Sequence, residues 1–264
     1  NHEMTLDMLG IEARPLPGDA ERGFVPDVAA AEARIDNRLR AIVLVSPNNP
    51  TGAEYPAETL RAFFDLARAR GIALIVDETY RDFDGREGRP HDLFADPDWK
   101  GTLIQLYSFS KAYRLTGHRV GAIVADAAFL AQVEKFLDTV AICPSQLGQI
   151  AALWGMRNLK DWLAGERREI LSRRAALRDG IARLPGWRLL GSGAYFAYVE
   201  HPFALPSPEL ARRLVTEASV LLLPGTMFTP DDDPAGQRQL RIAFANADAA
   251  GIATLTGRLA AFGA

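Results

Sequence analysis

A chain of 264 residues, 48% hydrophobic and 24% charged, has apolar material for one or two globular cores and is too rich in it for disorder. A formal net charge of -3 and a pI near 5.9 argue against nucleic acid or an anionic membrane as the main partner, and no apolar run approaches the roughly 18 to 20 residues that span a bilayer. The single cysteine, Cys143, excludes an internal disulfide and fits a reducing compartment, so a cytoplasmic location is expected.

In chain order, a helical start around Met4 to Leu9 precedes Ile11 to Pro17, whose alternation predicts a short strand before the Gly18-Asp19 turn. Val28, Ala31, Ile35 and Leu39 recur at helical spacing, predicting a helix over Val25 to Leu39. Ala41 to Val45 is a continuous apolar run, as in a strand buried on both faces, and Ser46-Pro47-Asn48-Asn49-Pro50-Thr51-Gly52 stops it. Pro56 to Arg70 is helical, with Leu60, Phe63, Phe64 and Ala67 on one side and Gly71 at the expected C-cap. Ile72 to Val76 is the second buried run, ending in Asp77-Glu78-Thr79-Tyr80. After a polar loop over 81–100, the third run, Leu103 to Tyr107, ends in Ser108, Ser110 and Lys111, with Arg119 eight residues beyond the lysine; Val120 to Ala125 is a fourth strand. Strand, helix, strand with polar strand ends predicts an α/β unit, a mainly parallel sheet covered by helices, with ligands at the carboxyl ends of its strands.

Helices are expected over Ala127 to Asp138 and from about Gln146. Residues 161–184 then read as one long amphipathic helix with Ile170, Leu171, Leu177, Ile181 and Leu184 buried. Its arginines read as a solvated face, because Glu166, Glu169 and Asp179 interleave with them and no aromatic platform accompanies them. Short strands at 187–190, 195–199, 220–223 and 240–245, with helices at 208–218 and 247–262, predict a small α+β domain. The expected division is a large unit over 1–150, then the connecting helix and small C-terminal domain over 151–264.

Singly, these polar clusters have bland explanations: Asn49 fits an ordinary Asn-Pro turn, and Ser-x-Ser-Lys a solvated one. Together, Asn-Pro-Thr-Gly at 49–52, Asp-Glu-Thr-Tyr at 77–80, Ser-Phe-Ser-Lys at 108–111, Gly-His-Arg-Val-Gly at 117–121, Pro-Gly-Thr-Met-Phe at 224–228 and Arg-Ile-Ala-Phe at 241–244 resemble the class I/II aminotransferases, fold-type I enzymes dependent on pyridoxal 5'-phosphate. The resemblance makes 1–150 the cofactor-binding domain. It implies a Schiff base on Lys111, which also shuttles the proton at the substrate Cα. It implies that Asp77 faces the pyridine nitrogen, Tyr80 and Asn49 the ring's 3' oxygen, and Ser108, Ser110 and Arg119 the phosphate. Arg241, with Asn49, is then expected to bind the substrate α-carboxylate. The partners implied are an amino acid, a 2-oxo acid and a second copy in a homodimer, with no metal.

Family members usually carry on the order of a hundred residues before the point matching Asn1, including a glycine-rich phosphate turn and an aromatic that stacks on the ring. The expectation is therefore a fragment of a longer aminotransferase, with sheet strands left unprotected. The same residues also fit a lyase or decarboxylase of this fold, a sensor domain of a transcription regulator, or an inactive remnant.

Overall fold

The structure, a computed structural model, describes residues 2–230 and 233–263. Two short helices come first, α1 (His2–Met8) and α2 (Val28–Glu32). β1 (Ala41–Val45), β2 (Ala73–Asp77) and β3 (Leu103–Ser108) then pair in parallel, and β4 (Gly121–Val124) lies antiparallel beside β3, in the order β1-β2-β3-β4. The parallel return from β1 to β2 is made through α3 (Ala57–Arg70), which buries Leu60, Phe63, Phe64 and Ala67 as their spacing predicts. Gly71 ends it in the left-handed conformation, its N–H meeting the carbonyls of Ala67 and Arg68. These side chains share a core with Leu44, Leu74 and Leu103; each buried leucine or phenylalanine stabilises the fold by about 1.5–3 kcal/mol.

Because β1, β2 and β3 run the same way, their carboxyl ends reach one edge: Val45 is in register with Asp77, and Asp77 with Leu106. β4 runs the other way, so its first residue, Gly121, pairs with Ser108 and brings Arg119 back to that same edge. The sheet is thus mixed, with an antiparallel edge strand.

Two helices follow, α4 (Ala127–Val140) and α5 (Gln146–Asn158), and then the long α6 (Lys160–Ile181). The second sheet is antiparallel: β5 (Arg188–Gly193), β6 (Phe196–Glu200), β7 (Leu223–Pro224) and β8 (Gln239–Ala243), in the order β5-β6-β8-β7. It packs with α6, α7 (Ser207–Ala218) and α8 (Ala249–Ala261) around Leu177, Ile181, Phe196, Leu214 and Ile252.

Some local expectations are corrected. Residues 11–17 form no strand; Pro15 and Pro17 lack the N–H a ladder needs, and Arg14 ties the segment down through Glu12 and Asp36. The helix expected over 25–39 shrinks to α2, since Asp36 captures the N–H groups of Arg38 and Leu39 in a local turn that competes with helix. The strand expected at 220–223 is the two-residue β7.

The arginines of α6 are not simply a solvated face. Arg168 and Arg178 are exposed, but Arg174 pairs with Glu54 at 2.6 Å, and Arg167 donates to the carbonyls of Asp84 (2.8 Å) and Arg86 (3.0 Å). These contacts tie the helix to loops of the first sheet.

One contact fixes the mutual placement of the two sheets. Gly52, at φ +75°, lies with its backbone against that of Ser192 and Gly193, and a Cβ on either Gly52 or Gly193 would collide with the other's main chain. Among the described residues no helix is long and apolar enough to cross a membrane. Apolar side chains nonetheless stand uncovered on β4 (Ile123, Val124), α4 (Phe136, Val140) and α5 (Trp154).

Gly193→Ala is expected to lower unfolding stability by about 2–4 kcal/mol in urea titrations, because backbone rather than a flexible side chain must move. A loss below about 0.5 kcal/mol would show that the two sheets are free to separate there.

Candidate active site

Asp77, the last residue of β2, is at the centre of the shared edge. One carboxylate oxygen accepts from the Thr79 N–H (3.0 Å) and hydroxyl (2.7 Å), and the other meets His2 Nε2 at 3.0 Å. Burial opposes ionisation of this carboxyl, but the hydrogen bonds from His2 and Thr79 and the charge of His2 outweigh it, holding the carboxyl below its ordinary value. Asp77 is therefore an anion at neutral pH.

Three residues on, Tyr80 is buried, with its ring edge-on to Tyr195 (5.4 Å) and Phe196 (5.1 Å). Lys111 Nζ is 6.0 Å from the centre of the Tyr80 ring. The phenol is pushed up mainly by burial, and the Asp77 charge adds to this against the opposing Arg241 charge. Tyr80 is thus a proton donor at neutral pH.

Arg241 reaches the same edge from β8. Its guanidinium lies over the rings of Phe228 (4.8 Å) and Phe196 (5.1 Å), and Nη1 donates to Asn49 Oδ1 at 2.8 Å. Its Nε is buried without a hydrogen-bond partner among the described residues. Burial lowers the guanidinium pKa from a value so high that the group stays charged.

Ser108, Ser110 and Arg119 share the β3–β4 connection. The Ser110 N–H donates to Ser108 Oγ at 3.2 Å, and Ser110 is buried. Arg119 occupies the left-handed region at φ 52°, which costs a non-glycine residue about 1 kcal/mol or more. Its side chain is exposed and donates to the Thr116 carbonyl at 3.0 Å. The backbone therefore gathers all three, while the guanidinium itself is turned toward Thr116. Ser110 and Lys111 also line a cavity of about 450 Å³ with Tyr195, Arg173 and Thr116.

The structure joins Asn49 to Arg241 directly, seats Asp77 and Tyr80 on one turn, and sets Lys111 beside Tyr80. Sequence reasoning missed His2 and Tyr195. The His2–Asp77 contact spans 75 positions, and neither residue shares a motif with its partner. Phe228 stood in a quoted motif, but its place over Arg241 required the structure.

The chain belongs to the aminotransferase class I and II family, whose model matches residues 1–259. Among curated relatives it is 31% identical over 224 residues to a probable aspartate/prephenate aminotransferase of Thermus aquaticus, covering 83% of this chain and 56% of that protein. It is 32% identical over 233 residues to an arginine–pyruvate transaminase of Pseudomonas aeruginosa, covering 87% and 58%. The chain thus spans a little over half the length of these relatives. A solved Thermus thermophilus aspartate aminotransferase variant superposes with a TM-score of 0.88 at 26% identity, over 98% of this chain and 70% of that one. An N-succinyldiaminopimelate aminotransferase from Mycobacterium tuberculosis gives 0.87 at 25%, over 97% and 67%.

His2→Ala should raise the pH at which Asp77 titrates, followed by the carboxyl ¹³C resonance. A depressed carboxyl stabilises the fold above its unfolded value of about 3.9 and loses that contribution as pH falls through the folded one. Without His2 the contribution should be smaller, with its loss complete at a higher pH. An unmoved Asp77 midpoint would mean that the contact carries no charge coupling.

Proposed function

We propose that this chain carries the centre of a pyridoxal 5'-phosphate-dependent aminotransferase, which moves an amino group between an amino acid and a 2-oxo acid. The observation that supports this most is Arg241, a charged group between two aromatic rings with a buried N–H left over. An unpaired buried donor of this kind costs on the order of 1–3 kcal/mol, so the arrangement suits an incoming anion. An α-carboxylate matches the guanidinium fork.

The remaining donor set fits the cofactor. Ser108, Ser110 and Arg119 are hydroxyl and cationic donors for a phosphate, and the Asp77 anion complements a protonated ring nitrogen. When bound, pyridoxal phosphate supplies the aldehyde that takes up the amino group and a ring that accepts electrons from the substrate Cα. Lys111 Nζ would hold the cofactor through that aldehyde, and its free amine would carry the proton to and from the substrate Cα. Tyr80, protonated at neutral pH, donates to the 3' oxygen. Arg241 and Asn49 hold the carboxylate and so orient the Cα–H bond.

The named relatives differ in the amino acids they act on, whereas the groups served by Lys111 and Arg241 are common to all amino acids. The reading includes a homodimer that covers Phe136, Val140 and Trp154, exposed on α4 and α5. It also includes a cytoplasmic location, in keeping with the exposed free thiol of Cys143.

Borohydride reduction of the cofactor-loaded protein should add the cofactor mass to the peptide carrying Lys111. An amino acid alone should convert the bound cofactor to its amine form, and a 2-oxo acid should restore it. A label elsewhere, or no amine form, would sink transamination at Lys111. Arg241→Ala should lower kcat/KM by about 10²-fold or more, from the loss of two charge-assisted hydrogen bonds to the carboxylate. Sedimentation of a monomer at micromolar concentration would remove the dimer from this reading.

A further inference from the structure

Of the four residues at 77–80, Asp77 and Tyr80 serve the site and Thr79 serves Asp77, which leaves Glu78 without a part in it. Its side chain is 1% exposed, and a carboxylate so buried costs several kcal/mol unless it is partnered. Oε2 accepts from the Gln105 side-chain amide and from Arg81 Nη1 at 3.3 Å, and Oε1 faces His91 Nε2 at 3.4 Å. The Leu93 N–H donates to His91 Nδ1 at 3.2 Å, which leaves the ring hydrogen on Nε2, on the side of the carboxylate. Burial opposes ionisation of Glu78, but His91, Arg81 and Gln105 outweigh it, so the group is an anion at neutral pH.

Strand alternation explains where this cage stands. Asp77 is in register with Leu106 and Val76 with Gln105, so Asp77, Leu106 and Ser108 share one face of the edge, and Val76, Gln105 and Tyr107 share the other. Glu78, one residue after Asp77, goes to the Gln105 face. Its N–H still follows the ladder, donating to the Leu106 carbonyl at 2.9 Å, and its carbonyl accepts from the Arg81 N–H at 3.1 Å. Asp82 accepts from the Tyr107 hydroxyl at 2.6 Å, two residues along the same face from Gln105. Residues 78–82 are thus fastened at both ends to the far face of β3, with Tyr80 between the two fastenings.

We propose that Glu78 is a positioning residue: its caged carboxylate holds the 77–80 turn from behind, so that Asp77 and Tyr80 keep their aim into the cofactor site. A second carboxylate beside Asp77 could instead act through its charge alone, and the two roles have opposite signs. Removing a like charge makes Asp77 easier to ionise, whereas releasing the turn loosens the two hydrogen bonds from Thr79 and makes it harder. The proposal rests on the aminotransferase reading for its consequence, but the effect on Asp77 can be tested apart from it.

In cofactor-free protein, the midpoint of the Asp77 carboxyl ¹³C titration should rise in Glu78→Ala. In Glu78→Gln it should lie at or below the parent value, because the carboxamide keeps the shape, accepts from His91 and pairs with a turned Gln105 amide. In cofactor-loaded protein, the cofactor dissociation constant should rise about 10-fold in Glu78→Ala, the loss of one charge-assisted anchor, and Glu78→Gln should restore most of it. A lowered or unmoved midpoint in Glu78→Ala would overturn the proposal, as would an unchanged dissociation constant or a Glu78→Gln variant that matches Glu78→Ala. Should Glu78→Ala not fold, Gln105→Leu takes its place, since it removes a donor to Glu78 and no charge; a rise of the Asp77 midpoint is expected, and an unmoved one overturns the proposal. If no cofactor binds the parent protein, the aminotransferase reading fails, while the Asp77 midpoint still decides the role of Glu78.

Discussion

The approach of two bare backbones, Gly52 against Gly193, is the constraint on which the site depends. Arg241 belongs to one sheet and Asn49 to a loop of the other, 192 positions apart, yet they meet at 2.8 Å. That meeting is possible because the loop carrying Asn49 docks on the β5–β6 hairpin without side chains intervening. A methyl group at either glycine would force main chain against main chain, and interiors packed like crystals have little room to absorb it. The same docking sets the hairpin turn that presents Tyr195 to Tyr80.

Electrostatics reinforces this steric lock at its margins. Glu54 accepts from Arg174 of α6 at 2.6 Å and from the Gly85 N–H at 2.8 Å, so one carboxylate gathers a helix and two loops. Half-buried pairs of this sort hold orientation more than they add stability, because desolvation offsets much of the attraction. Within the site, Asp77 is held anionic by His2 and Thr79, and Arg241 stays cationic although burial opposes it. The site therefore holds a fixed anion and a fixed cation, with Tyr80 kept protonated mainly by burial.

The long α6 shows why composition alone misassigns a surface. Interleaved acids made its arginines read as solvated, and two of them, Arg168 and Arg178, are. Arg167 and Arg174 instead reach across to main-chain and carboxylate acceptors of the first sheet. A one-dimensional charge pattern records which charges are neighbours on a helix, not which loops fold against it. In the same way, the apolar pattern over 25–39 is helical in period, but Asp36 closes a local turn that ends the helix early.

The sequence by itself determined the class of fold, the order of its main strands and the polar groups that stand at their ends. Buried parallel strands are apolar throughout, and a short motif at each strand end, Asn49, Asp77 with Tyr80, and Ser108 to Lys111, stays within a few residues of its strand. Parallel pairing then delivers those ends to one edge. Tertiary structure alone decided how the groups address one another: His2 on Asp77, Asn49 on Arg241, Tyr195 on Tyr80, and the aromatic pair around the guanidinium. Such contacts join distant positions, and the preferences that fix a strand or a helix act over only a few residues, so no local pattern encodes them.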